Sequence, residues 1–195
     1  MNDAQWDKKL GIQTVGRDAN QEDKHHYPYE PTPYRVLERL VTSGYIKKGD
    51  RVVDYGCGKG RVGFFLHYRL DCQVTGIEYS EKIWKQAQDN LFSYGKKGIE
   101  ILCANAEQYH VHDMDSFYFF NPFSEKTLKS VMGNVLESYY EKPRQMYCFF
   151  YYPDDEYVSY LMTQDFLLFV DEIDCQDIFE GANPRERILI FEVVG

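Results

Sequence analysis

Residues 50–60 read Asp-Arg-Val-Val-Asp-Tyr-Gly-Cys-Gly-Lys-Gly, and Glu78 stands twenty residues beyond Gly58. A β-branched strand running into a glycine-rich bend lets backbone N–H groups approach a ligand closely. An acid about twenty residues further on can hold the two hydroxyls of a ribose. This spacing points to an adenosine-containing cofactor. The glycines admit two registers: Gly56-Cys57-Gly58-Lys59-Gly60 behind Asp54, or Gly58-Lys59-Gly60-Arg61-Val62-Gly63, which fits the dinucleotide pattern G-x-G-x-x-G. Asp54 separates them. A carboxylate at the strand's end would repel a pyrophosphate, whereas it attracts a cationic ligand group.

A second set lies downstream, where the aromatic run Phe117-Tyr118-Phe119-Phe120 leads into Asn121-Pro122-Phe123. With Asp54, Gly56, Cys57, Gly58 and Gly60 in the first register, the chain resembles the class I S-adenosylmethionine (SAM) dependent methyltransferases over roughly residues 29–195. The resemblance implies a SAM cofactor whose methionine half is wrapped by that loop and whose ribose hydroxyls are held by Glu78, with Tyr79 beside the adenine. Asn105-Ala106 stands where the family often has Gly-Asp-Ala, and an asparagine there keeps an acceptor for the adenine amino group. Tyr29 and Thr32 fall where many of these proteins fold a segment over the cofactor. Asn121, Pro122 and Phe123 resemble a shortened Asn-Pro-Pro-Tyr/Phe motif of amino-group methyltransferases. In that motif the asparagine and a proline carbonyl accept the amine's hydrogens while the aromatic stacks nearby. The expected activity is methyl transfer to a small-molecule or protein acceptor. The rival readings are an NAD-dependent oxidoreductase on the second register and a non-catalytic SAM-binding protein.

Other constellations carry less chemistry. His110-Val111-His112-Asp113 offers three potential ligands in one extended stretch, and solvated loop residues explain it better than a metal site. His25-His26 could accept a proton if the amino-terminal segment covers the site. Tyr151-Tyr152-Pro153 should leave the fifth strand at the ligand edge and border the acceptor.

These residues need elements to place them. Strands are expected at 51–55, 73–78, 99–103, 116–120, 145–151, 166–171 and 187–194. Helices are expected after Tyr34, from Gly60, after the Ser80 cap, after the Ser124 cap and around 155–162. Alternating strands and amphipathic helices imply an α/β fold: a Rossmann-like, doubly wound, mostly parallel seven-stranded sheet whose last strand is antiparallel, with one of the last two strands pairing antiparallel at the sheet edge. Residues 1–28 are polar and aperiodic and are expected to form an arm or lid, with the SAM-dependent domain at 29–195.

Acidic residues outnumber basic ones 31 to 22, for a formal charge of −9, so a nucleic-acid acceptor is disfavoured. No apolar run approaches a membrane span, and the start of the chain lacks an apolar signal segment. Five scattered cysteines form no C-x-x-C pair, which fits a cytoplasmic chain without a disulfide framework.

Overall fold

A computed structural model describes residues 1–16 and 29–195. The chain runs α1 (Asp3–Leu10), α2 (Tyr34–Ser43), β1 (Arg51–Tyr55), α3 (Arg61–Leu70), β2 (Gln73–Glu78), α4 (Glu81–Tyr94) and β3 (Ile99–Cys103). It continues through β4 (Ser116–Phe119), α5 (Glu125–Glu141), β5 (Tyr147–Tyr151), α6 (Asp155–Leu161), β6 (Leu167–Asp174) and β7 (Arg187–Val193). The seven strands form one sheet in the order β3-β2-β1-β4-β5-β7-β6. Strands β1 to β5 pair in parallel, and β7 pairs antiparallel to both β5 and β6.

Strand residues alternate between two hydrophobic layers, as the pleat requires. Val52, Tyr118 and Phe149 join the layer under α1 to α4, whereas Val53, Phe117, Phe119 and Phe150 join the layer under α5 and α6. Tyr55, Phe119 and Phe150 stack across three adjacent strands, with centroids 5.0 and 4.6 Å apart. Strand order reverses between β1 and β4, which opens a crevice at the carboxyl ends of the strands.

The antiparallel pairing expected at the sheet edge is made there by β6 with β7. Strand β7 lies between β5 and β6. Its core residues Ile188 to Phe191 are buried on both faces and need two neighbours, whereas β6 is largely exposed and supplies the edge. The arm expectation fails for residues 1–16. Asn2 and Gln5 form a reciprocal capping box that starts α1, and Gly11 closes it in the left-handed conformation. Trp6, Leu10 and Ile12 then enter the core. The rest of the expected arm, including His25 and His26, lies outside the described residues.

Candidate active site

At the end of β1 the chain turns sharply, with Gly56 and Cys57 both donating their N–H to the Ile77 carbonyl, at 2.9 and 3.0 Å. Gly56 and Gly58 have φ of +69° and +56°, a region that favours glycine. Their missing side chains admit other parts of the site. A Cβ on Gly56 would stand 2.3 Å from the Pro122 Cβ, and one on Gly58 would stand 2.3 Å from the Tyr29 ring. The loop therefore sits between the segment before the fold and the turn after β4.

The resulting cleft has a volume of about 1340 Å³. That exceeds the few hundred to about 1,000 Å³ of a typical single-ligand site, leaving room for a second molecule beside a cofactor. Thirteen of the sequence-nominated residues line it: Tyr29, Thr32, Asp54, Gly56, Cys57, Gly58, Glu78, Tyr79, Asn105, Ala106, Asn121, Pro122 and Phe123. Gly60 does not. It caps α3 and is buried, and a Cβ there would meet the Phe64 ring at 2.7 Å and Ile101 at 3.0 Å, so this glycine serves core packing. Cys57 borders the cleft, but its thiol packs against Gly76, and burial pushes it well above the usual thiol range.

The acids differ in their partners. Glu78 accepts from the Gly58 N–H at 2.9 Å and the Ser80 N–H at 2.7 Å, so it fastens the glycine loop to the end of β2. Burial raises its pKa against the pull of those bonds. A carboxylate has about four lone-pair sites, so Glu78 retains acceptor capacity beyond its backbone N–H partners. Asp54 is also buried, yet its Oδ2 has no hydrogen-bond partner. Burial, then repulsion from Glu78, pushes its carboxyl up to about 8. An uncompensated buried acid of this kind fits a cationic ligand group.

The entry segment is pinned at both ends. The Tyr29 hydroxyl donates to the Thr14 carbonyl at 2.7 Å, and Lys59 Nζ lies 4.8 Å from the centre of its ring. The Thr32 hydroxyl meets Tyr118 Oη at 3.0 Å, and its carbonyl accepts from Arg61. Arg61, buried in the first turn of α3, also bonds Thr14 Oγ1 at 2.7 Å and pairs with Asp3 and Asp7. Sequence reading missed this network. Its local signal was the Asn2–Gln5 cap with Trp6 and Leu10 four residues apart. Tyr79 stands at the rim, 59% exposed. Asn105 Oδ1 caps the Glu107 N–H at 3.0 Å, so one of its acceptor positions is engaged locally.

On the far side, Asn121 follows β4 at φ +37°, and Tyr152 follows β5 at φ +53°. These left-handed conformations turn the chain sharply at two points on the cleft wall. Asn121 Nδ2 donates to the Tyr152 carbonyl at 2.6 Å, while Asn121 Oδ1 is buried with no partner. Phe123 does not present its ring as an acceptor platform. It is 8% exposed and packs edge-on against Tyr55 and Phe119, and its carbonyl accepts from the Tyr157 hydroxyl. Phe120 and Tyr152 are the half-buried aromatics on this wall. Arg185, from the β6–β7 connection, completes it and was not anticipated. His110 and His112 are exposed, and among the described residues no group of three His, Cys, Asp or Glu side chains is placed to hold a metal.

Residues 52–138 match the family model of the methyltransferase domain. The chain is 32% identical over 87 residues to a histone-lysine N-methyltransferase, H3 lysine-79 specific, from Dictyostelium discoideum, covering 44% of this chain and 5% of that protein. It is 32% identical over 76 residues to a protein-lysine N-methyltransferase from Saccharolobus islandicus, covering 37% of this chain and 46% of that protein. The chain thus spans less than half the length of these curated relatives. Among solved structures, the N-methyltransferase NodS from Bradyrhizobium japonicum superposes with a TM-score of 0.60 at 13% identity, over 83% of this chain and 96% of that one. The chain has the Rossmann-like fold seen in class I SAM-dependent methyltransferases. No helix among the described residues is long and apolar enough to cross a membrane.

Proposed function

We propose that this chain is a SAM-dependent methyltransferase whose acceptor is an amine nitrogen on a small molecule or protein. The observation that carries the acceptor side is Asn121 Oδ1, a buried amide oxygen left without a donor while its own Nδ2 is tied to Tyr152. A buried acceptor in that state favours an incoming N–H. The lysine-directed names of two relatives also support nitrogen as the accepting atom. Five free cysteines support a reducing, cytoplasmic setting.

The donor set fits the cofactor. Glu78 would hold the ribose hydroxyls with its remaining lone pairs, Asp54 would face the cationic part, and Asn105 and Ala106 would border the adenine. When bound, SAM supplies an electrophilic methyl group on a sulfonium sulfur. The protein's part is positioning. Asn121 would take one amine hydrogen and turn the nitrogen lone pair along the cleft, while Phe120 and Tyr152 exclude water. Orientation and desolvation of this kind supply much of the acceleration in a displacement at carbon. A lysine-like acceptor, with an ordinary pKa of about 10.4, must lose its proton before attack.

The test is transfer of labelled methyl from SAM to a panel of amines and lysine peptides. Asn121→Ala should lower turnover by roughly 10- to 100-fold. Its affinity for S-adenosylhomocysteine (SAH), the demethylated product, should stay within about twofold. Unchanged turnover would remove Asn121 from acceptor orientation. SAH binding with no transfer to any class of acceptor would favour a non-catalytic SAM-binding protein.

A further inference from the structure

The acceptor wall carries an arginine that the proposed methyl transfer leaves unexplained. Arg185 enters the cleft from the β6–β7 connection, with its guanidinium 4.3 Å from the centre of the Tyr152 ring. Its Nε donates to the Pro153 carbonyl and its Nη2 to the Tyr152 carbonyl, each at 3.3 Å. Asn183 fixes the same unit twice, its Oδ1 accepting the Arg185 N–H at 3.1 Å and its Nδ2 donating to the Tyr152 hydroxyl at 2.9 Å.

This well-held cation has no carboxylate partner among the described residues. Arg39, Arg51, Arg61, Arg69 and Arg187 each pair with an acid. Arg35 and Arg144 have none, but Arg35 is exposed on the surface and donates to the Ile178 carbonyl, and the three nitrogens of Arg144 all donate to carbonyls or to the Ser138 hydroxyl. Of the acids close to it in the chain or on the cleft wall, Glu186 accepts from the Tyr151 hydroxyl at 2.6 Å, and Asp154 caps the Tyr157 N–H at 2.8 Å. A guanidinium has five N–H donors, and Arg185 uses two of them.

The Tyr152 carbonyl ties this cation to Asn121. It accepts Asn121 Nδ2 at 2.6 Å and Arg185 Nη2 at 3.3 Å. The two nitrogens cannot be further apart than those two bonds laid end to end. One small molecule can therefore reach both side chains. We propose that Arg185 is an acceptor-specificity residue, and that the acceptor is a compact amine bearing an anionic group, carboxylate or phosphate, a few ångströms from the nitrogen to be methylated. A planar fork over an aromatic ring is the arrangement that binds such oxyanions in two-point fashion. The inference rests on the methyltransferase reading above.

The test uses the full chain saturated with SAH. Calorimetry measures binding of ω-amino acids from glycine to 6-aminohexanoate, of their neutral amides, and of 2-aminoethyl phosphate against ethanolamine. The expected result is that at least one anionic amine binds about tenfold or more tightly than its neutral match. The carboxylate and phosphate arms show which anion it is. Arg185→Gln should abolish that preference while SAH affinity stays within about twofold, and Arg185→Lys, which keeps the charge but not the fork, should retain part of it. Absence of any anion preference, or one that survives Arg185→Gln, overturns the proposal. So does a loss of SAH affinity in Arg185→Gln, since the arginine would then be holding the cofactor. Failure of SAH to bind the unaltered chain would instead overturn the methyltransferase reading, and this inference with it.

Discussion

Asp54 and Glu78 are both buried carboxylates, but their surroundings set them to different tasks. Glu78 accepts from backbone N–H groups, those of Gly58 and Ser80 among them, whereas Asp54 has an oxygen with no partner. In the folded chain Asp54 keeps its proton up to about pH 8, against an ordinary value near 3.8 once unfolded. The folded state then binds the extra proton, so this contribution to stability is full below the ordinary value and is lost as pH rises toward about 8. A cationic ligand beside Asp54 has the opposite preference and favours the ionised acid. SAM affinity should therefore rise between pH 6 and 8, with a proton released on binding. Calorimetry in two buffers of different ionisation enthalpy measures that proton, and Asp54→Asn should flatten the pH dependence. A proton count of zero in the unaltered chain would remove Asp54 from contact with the cationic group.

At the scale of elements, α1 is what fixes the entry segment over the cleft. Asp7 accepts from the Thr14 N–H and hydroxyl, the Val15 N–H and the Tyr34 hydroxyl, and it lies 4.0 Å from Arg61. Asp7→Ala would strand these donors and leave Arg61 short of one partner. We expect a loss of about 3 kcal/mol or more in urea unfolding. A change under about 0.5 kcal/mol would mean that α1 is not part of the cooperative fold. This element was hard to read from sequence because its helical face has only Trp6 and Leu10 among polar residues, and its anchor Arg61 is 54 positions away from Asp7. The strands and helices around the cleft were easier, since Ser80 and Ser124 cap where expected and the apolar spacing of α4 and α5 is regular. Strand β4 ended one residue early because Asn121 turns left-handed. The extent of β6 was hidden by Asp171, Glu172 and Asp174, which are tolerable only because that strand is an edge. Within the site, motif residues were legible because local spacing carries them. Arg185 was not, because nothing near it in sequence says that it will meet Tyr152.

The whole molecule places its charges unevenly. The chain is acidic overall, yet the acceptor wall holds an arginine with no acid partner among the described residues. If the cleft takes the proposed cofactor, SAH should stabilise the entire fold through linkage. At about one hundred times its dissociation constant the gain is roughly 2.7 kcal/mol. For a chain of this size that raises the melting temperature by about 5–10 °C. NADH at the same concentration should leave it unmoved, and a larger shift with NADH would restore the dinucleotide register of the glycine loop. Differential scanning fluorimetry reads both in one experiment.

The reversal of β7 has an effect beyond the sheet. Because that strand runs against its neighbours, the segment joining it to β6 crosses directly at the ligand edge, with no long helix needed to bring the chain back. The stretch between Cys175 and Arg187 can lengthen or change composition at small entropic cost, while β1, β2 and their glycine turn stay as they are. On the proposed function, the glycine turn between β1 and β2 would handle the donor, and this flap of chain would choose what is modified.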